Sequence, residues 1–256
     1  MEHAKKKFSI YNQNVVGYVF IMPWLVGFLC FTLVPFLMSF VLSFTNFNIL
    51  SPDTKFIGLD NYVKLFTQDK LFIKSLKVTF KFAFISVPLR LIFALFVAMI
   101  LNRKSRAVPV YRVVYYLPSI IGGSVAVSVM WRNLFTKAGV INSLLQAVGI
   151  DCRLNWLSNT KTALFTLILL YVWQFGSSML IFLSGLKQIP VSYYEAAEVD
   201  GAGKVRQFFS ITLPLLSPII LFNLVMQIIN GFMVFTQAQI ITDGGPVNET
   251  LVYILY

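Results

Sequence analysis

No Lys, Arg, Asp or Glu occurs from Phe8 to Pro52, from Val113 to Trp131, from Thr162 to Leu186, or from Gln207 to Thr242. A helix that crosses a bilayer needs about 20 consecutive, mostly apolar residues, and each of these stretches is at least nearly that long. A fifth apolar run, about 76–101, carries Lys77 and Lys81 at its start and Arg90 near its middle. The chain is 57% apolar and only 12% charged, where soluble domains average ~25% charged. The expectation is an all-α polytopic membrane protein with five full transmembrane helices at about 15–44, 76–101, 113–131, 162–186 and 211–241. An apolar segment from Leu251 to Tyr256 reads as the start of a sixth, too short to cross, so the C-terminal end is expected to be truncated.

The formal net charge is +11, from 21 Lys and Arg against 10 Asp and Glu. A basic surface attracts nucleic-acid phosphates, but these cations sit in short loops between apolar runs. Anionic lipid headgroups and membrane topology account for them better, and no nucleic acid is expected. Cys30 and Cys152 are the two cysteines and His3 the one histidine; they offer no metal-ligand spacing and argue against a disulfide. Lys5, Lys6 and Lys7 ahead of an apolar run resemble a secretory leader, whose apolar core is about 7 to 15 residues. The run here is longer and holds Pro23 and Pro35, so it reads as a retained first span after a cytoplasmic N-terminus, 1–14. With the N-terminus inside, Arg103, Lys104, Arg106 and Arg112 crowd into one short inner segment, which gives modest support for that orientation.

The polar stretch from Pro190 to Gly203 lies between the fourth and fifth runs and reads as a short helix. Ser192 is placed to cap its first turn, with Glu195 three residues on completing a capping box. Gly201 and Gly203 supply the permissive backbone that ends it. Ala196 and Ala197 leave one side nearly flat, and Glu195, Glu198 and Asp200 concentrate negative charge. As physics alone this is either a solvated connector or a docking surface.

The run Glu195-Ala196-Ala197, then Asp200-Gly201-Ala202, Phe208, Ile211, Leu213-Pro214 and Pro218 closely resembles the "EAA" signature of permease subunits in binding-protein-dependent ABC importers. The similarity extends over most of the chain: Ser43-Phe44-Thr45, Ile57-Gly58-Leu59-Asp60-Asn61-Tyr62, Leu117-Pro118, Trp131, Gly244-Gly245-Pro246 and Thr250 resemble the carbohydrate branch, related to maltose, lactose and glycerol-phosphate permeases. The resemblance implies an ABC importer type I permease fold within 15–256 in the cytoplasmic (inner) membrane. It also implies a cytoplasmic coupling loop at 190–206, in which Glu195, Ala196, Ala197, Asp200 and Gly201 dock on a separate ATPase. The implied partners are a second homologous permease, an ATPase dimer, an extracellular or periplasmic sugar-binding protein, a sugar and membrane lipids. No cofactor is implied in this chain; ATP and Mg would be bound by the ATPase.

The only Gly-Lys pair, Gly203-Lys204, is followed by Val205, and Glu198 stands where a Walker A motif has its first glycine. None of the carboxylates falls inside an expected span, where ion-driven carriers usually place them. That favours an ATPase partner over the rival from another class, an ion-driven secondary carrier. The nearer rival is an ABC permease for glycerol phosphate or another small solute. A membrane enzyme lacks any nucleophile–base constellation.

Asn223, Gln227, Asn230 and Gln237 fall at i, i+4, i+7 and i+14, one helical stripe of amides with both donors and acceptors. Gln227 and Asn230, with Asn223, are the substrate-pathway candidates; the bland alternative is bonding between helices. Trp173, Gln174 and Ser177 form a similar patch, in which the indole suits a sugar face or plain packing. Ser119, Gly122, Gly123 and Ser124 are small enough for close helix approach. Arg90 either snorkels or pairs with a second permease.

Overall fold

The computed structural model describes residues 13–50, 54–103, 106–150 and 154–256. Lys5, Lys6 and Lys7 of the expected cytoplasmic N-terminus, and Cys152, lie outside them. The chain divides into a unit ending at Asp69 and a unit running Lys70–Tyr256, and each is described by itself.

In the first unit, α1 (Gln13–Phe28) and α2 (Val34–Leu42) are joined through a wider π-type turn, Leu29–Leu33. The widening has a local cause. Pro35 has no N–H and its ring crowds the carbonyl four residues back, and the turn closes instead with the Val34 N–H donating to the Leu29 carbonyl. Val16–Leu42 is long and apolar enough to cross a membrane. After it, Asn61 at the start of α3 (Asp60–Thr67) donates from Nδ2 to the Ser43 and Thr45 carbonyls at 2.8 and 2.9 Å. The Tyr62 hydroxyl lies 2.7 Å from Ser43 Oγ. Gly58 supplies the positive φ of +63° that the turn requires. The two separated sequence motifs are therefore one hydrogen-bonded clasp.

The second unit is organised on α4 (Lys70–Leu101), whose 32 residues run about 48 Å. It is followed by α5 (Val108–Ile121), α6 (Val125–Leu134), α7 (Val140–Ala147), α8 (Ala163–Trp173), α9 (Gly176–Leu186), α10 (Val191–Val199) and α11 (Lys204–Gln207). A second π-type turn, Phe208–Thr212, leads into α12 (Leu213–Phe232), and α13 (Thr236–Thr242) comes last. Helices α8, α9 and α12 pack along α4, α5 packs on α9, and α13 on α6.

Three expected spans are not single rods. The third is α5 and α6, bent by 98°. Gly122 and Gly123 are weak helix formers, and Ser124 restarts the helix with extended backbone and its Oγ accepting from the Val127 N–H at 3.3 Å. The fourth is α8 and α9, bent by 42°. The fifth stops at Phe232, and α13 is a separate helix. Three helices are long and apolar enough to cross a membrane, or up to five if each bent pair is one span. Leu251–Tyr256, where a sixth helix was expected to begin, is in turns, with Val252 buried and the Tyr253 N–H donating to Thr79 Oγ1 at 2.7 Å.

The polarity of the second unit is reversed relative to a soluble domain. Phe84, Ile92 and Phe222 point outward with more than half their surface exposed, while Ser86, Arg90, Ser178, Asn223 and Gln227 are buried. Lipid as the outer solvent explains both halves of that pattern. Close helix approach is set by glycine: a Cβ on Gly176 would lie 2.2 Å from the Tyr115 carbonyl oxygen, and one on Gly185 would meet Ile219 at 2.2 Å.

Candidate functional site

Helix α10 carries the acidic docking candidates on a short arm outside the bundle. Its start differs from the capping-box expectation. The helix begins two residues earlier, after Pro190, and no side chain caps it. Pro190 has φ −59° and ψ 133°, extended as an N-cap residue should be, so Ser192 and Glu195 lie inside the helix with no capping role. Its end agrees with the sequence reading. The Ala202 N–H donates to the Ala197 carbonyl at 2.8 Å and the Gly201 N–H to the Glu198 carbonyl at 3.0 Å, with Gly201 at φ +75°. That paired closure is a Schellman motif, which places Gly201 at the left-handed position.

Glu195, Ala196, Asp200 and Gly201 are exposed and Ala197 is half-buried. Glu198 differs from the other acids, because its carboxylate is bonded by the Lys204 ammonium, which holds its pKa below the usual range. Two residues that sequence reasoning missed fix the arm. Tyr194, half-buried, bonds through its hydroxyl to Thr212 Oγ1 at 2.9 Å, at the root of α12. Gln207, buried, donates from Nε2 to the Ala202 carbonyl at 3.0 Å. Tyr193 and Tyr194 stand side by side in the sequence, which gives no sign that the second and not the first turns inward.

Inside the apolar part of the bundle the structure collects a second set of polar groups. The break between α8 and α9 frees the carbonyl of Gln174, since a helix end leaves carbonyls without intrahelical donors. Arg90 Nη2 and Ser119 Oγ both donate to it, and Arg90 Nη2 also lies 3.4 Å from Ser177 Oγ. The guanidinium sits 4.5 Å from the Tyr171 ring centroid. Arg90 is 6% exposed and does not snorkel; within this chain its partner is the broken helix, while its Nε, also buried, has no hydrogen-bond partner among the described residues. Tyr171 in turn donates to the Gln227 carbonyl at 2.8 Å and lies 3.2 Å from Gln227 Oε1.

The amide stripe is therefore divided. Asn223 and Gln227 are buried, Asn230 is exposed, and Gln237 has left the stripe for α13, where its Nε2 donates to the Gly122 carbonyl at 3.3 Å. The chain break after Phe232 removes the i+14 relation. Asn223 is fully buried, and neither its Oδ1 nor its Nδ2 has a hydrogen-bond partner among the described residues. Gln174 is buried with Nε2 donating to the Leu170 carbonyl, and Trp173 is half-buried beside Trp131, their rings 5.6 Å apart. Ser119 and Gly122 do serve close approach, both against Gln174, whereas nothing lies within 4 Å of a Cβ on Gly123. Tyr171, Ser86 and Ser178 were missed, because single hydroxyls in apolar runs carry no distinguishing spacing.

Beside α13, Thr250, fully buried, donates to the Gly245 carbonyl and has its Oγ1 2.8 Å from Thr242 Oγ1, tying the Gly244-Gly245-Pro246 turn to α13.

Residues 79–256 match the family described as binding-protein-dependent transport system inner membrane component. A probable ABC transporter permease protein of Bacillus subtilis, YesP, is 58% identical over 98% of this chain and 82% of its own. The trehalose/maltose transport system permease protein MalF of Thermococcus litoralis is 32% identical, covering 94% of this chain and 81% of its own. The lactose transport system permease protein LacF of Rhizobium radiobacter is 33% identical over 95% and 82%. In fold, the chain superposes with a TM-score of 0.74 on a chain of a bacterial alginate ABC transporter crystallised with an alginate pentasaccharide-bound periplasmic protein. That likeness covers 92% of this chain and 78% of the other at 24% identity. On the family match and these identities, the chain belongs to the inner membrane components of binding-protein-dependent transport systems.

Proposed function

We propose that this chain is the permease subunit of an ATP-driven importer that carries a sugar across the cytoplasmic membrane, working with a second permease, an ATPase dimer and an external sugar-binding protein. The observation that carries the coupling part of the reading is α10. A nine-residue helix stands exposed on nearly every side, closed by a glycine and tied back to α12 through Tyr194. Such an arm has no internal reason to be exposed and suits insertion into a cleft on another protein. The permeases for trehalose/maltose, arabinooligosaccharides and lactose among its relatives support a carbohydrate cargo. The chain itself is read as a conduit, with ATP and Mg handled by the ATPase.

Helix α10 is placed in the cytoplasm, with the N-terminus on the same side and the segments 46–73 and 133–160 outside. Gln227, Asn230 and Asn223, with Trp173 and Gln174, are the pathway candidates; Asn223 and Gln227 are buried within the chain and Asn230 offers an amide at the bundle surface. Replacing Glu195 by Lys tests the docking role. The variant should assemble with the ATPase, measured by co-purification, yet hydrolyse ATP without uptake; normal uptake would remove the assignment. Single cysteines at Asp60 and Glu198, in a chain freed of Cys152, test the orientation with an impermeant thiol reagent on intact cells. Labelling at Glu198 from outside would reverse it.

A further inference from the structure

Arg103, Arg112 and Lys187 line one pocket of about 480 Å³ where α4, α5 and α9 end or begin. No carboxylate lines it, and among the described residues none of the three cations pairs with an acid. Arg112 Nε is buried and lacks a hydrogen-bond partner among the described residues. Arg103 and Lys187 are exposed and Arg112 half-buried; together they give the void a positive field that suits an anion, and their height in the bundle says which. Leu101 and Leu186 are the last residues of α4 and α9, so the pocket lies where apolar helices meet water, the level of lipid headgroups.

A second void abuts it. Between α4, α5 and α8 runs a cleft of about 1000 Å³ lined by Phe93, Phe96, Ile100, Val114, Pro118 and Trp173, among others. Their linings are neighbours in sequence on both helices: Leu101 lines the cleft and the next residue, Asn102, the pocket; Tyr111 lines the cleft and the next residue, Arg112, the pocket. A free anion would use only the basic part, and a polypeptide segment has no need of an apolar slot beside three cations without acidic partners. A phospholipid has both halves, a phosphate diester and an acyl chain, in the right order.

We propose that the α4/α5 cleft is a binding site for an anionic phospholipid, with its phosphate held by Arg103, Arg112 and Lys187 and an acyl chain in the aromatic cleft. Basic pockets between helices at a membrane face bind anionic headgroups in this way. Val191 and Tyr194 complete the pocket wall, so the headgroup touches the base of α10. The lipid thereby braces the arm that the preceding section assigns to ATPase docking; only that link and the choice of leaflet rest on that reading.

The test uses the assembled transporter in nanodiscs of phosphatidylcholine doped with a phosphatidylglycerol bearing a photoreactive acyl chain, with cross-links mapped by peptide mass spectrometry. The expected labels fall on α4 and α5 around Phe93 to Leu101 and Val114 to Pro118. Excess phosphatidylglycerol should compete them away, and neither phosphatidylcholine nor inorganic phosphate should. Replacing Arg112 and Lys187 by Gln should cut labelling roughly twenty-fold, from about five-fold per cation at an anionic surface, while Arg112→Lys keeps most of it. If the double variant does not assemble, the map on the unaltered protein decides alone. Labels elsewhere, undiminished labelling of an assembled double variant, competition by inorganic phosphate, or a photoreactive residue at Val114 capturing a partner subunit in place of lipid would each overturn the proposal.

Discussion

Arg90 lays its guanidinium over the ring of Tyr171 at 4.5 Å from the centroid, and the Tyr171 hydroxyl donates onward to the carbonyl of Gln227. Three helices are linked by this pair, and its two halves are separable. Tyr171→Phe keeps the ring under the cation and loses one neutral hydrogen bond, a cost of about 0.5–1.5 kcal/mol. Arg90→Ala removes a charged donor from the Gln174 carbonyl, worth about 1.5–3 kcal/mol. Arg90→Lys should recover only part, because an ammonium lacks the flat guanidinium fork. Denaturation midpoints of the assembled transporter in detergent should follow the order wild type, Tyr171→Phe, Arg90→Lys, Arg90→Ala. Equal midpoints for all four would show that the linkage carries no stability.

Gly176 and Gly123 give a steric contrast. A Cβ at Gly176 would lie 2.2 Å from the Tyr115 carbonyl oxygen and 2.7 Å from the Tyr116 Cα, backbone atoms that cannot swing aside. Gly176→Ala should push α5 off α9 and cost about 1–3 kcal/mol, the usual range for overpacking. Gly123→Ala meets nothing within 4 Å and should fold as well as the parent. Yield of folded protein by fluorescence-detected size exclusion separates the two.

The Glu198–Lys204 pair makes α10 sensitive to acid. Its carboxyl titrates lower in the folded loop than in an unfolded chain, mainly through the hydrogen bond from Lys204. The pair's contribution is therefore complete above the ordinary carboxylate range and disappears as pH falls through the lowered value. Both side chains are well exposed, so the effect stays local. Amide hydrogen exchange of 191–203, corrected for its intrinsic pH dependence, should hold constant from neutral pH to about 5 and quicken below ~4. Lys204→Gln should abolish that acid step; an identical step in the variant would place its origin elsewhere.

Asn223 permits a clean separation of folding from transport. Both its polar atoms are buried without partners, and such a group costs stability where it stands. Asn223→Leu, which keeps the number and branching of the side-chain heavy atoms, should leave the denaturation midpoint unchanged or higher while lowering sugar uptake several-fold if the amide meets substrate in another conformation. Gln227→Leu, whose Oε1 lies within reach of the Tyr171 hydroxyl, should lose both some stability and some uptake. Unchanged uptake in both, with normal assembly, would make the amides packing groups only.

What the sequence disclosed was set by the range of each signal. Charge-free runs located the apolar helices because lipid solvation depends on composition over about 20 residues, a property visible without geometry. The end of α10 at Gly201 was legible because a left-handed position leaves few choices but glycine. Its start was misread because Ser192 satisfied a capping pattern that Pro190, by fixing its own φ, pre-empted. The departure of Gln237 onto α13 needed tertiary structure, since an unbroken apolar run gives no sign of where a helix turns; the bend at Gly122–Ser124 did carry a local sign, two glycines ahead of a capping serine, which was read as close helix approach. The role of Arg90 was hidden for the same reason: its partner is a main-chain carbonyl, and no side-chain pattern advertises one.

Tyr194 meets Thr212 at the root of the helix that, 11 residues further on and about 16 Å along its axis, carries Asn223. On the proposed docking role of α10, an actuator and its load share one shaft. Any movement of α10 that preserves this bond is applied directly to α12, with no relay of intervening side chains to absorb it. Stiffness along a single rod, and not a chain of rearranging contacts, would set how faithfully a push at the membrane surface arrives at the amides in the interior.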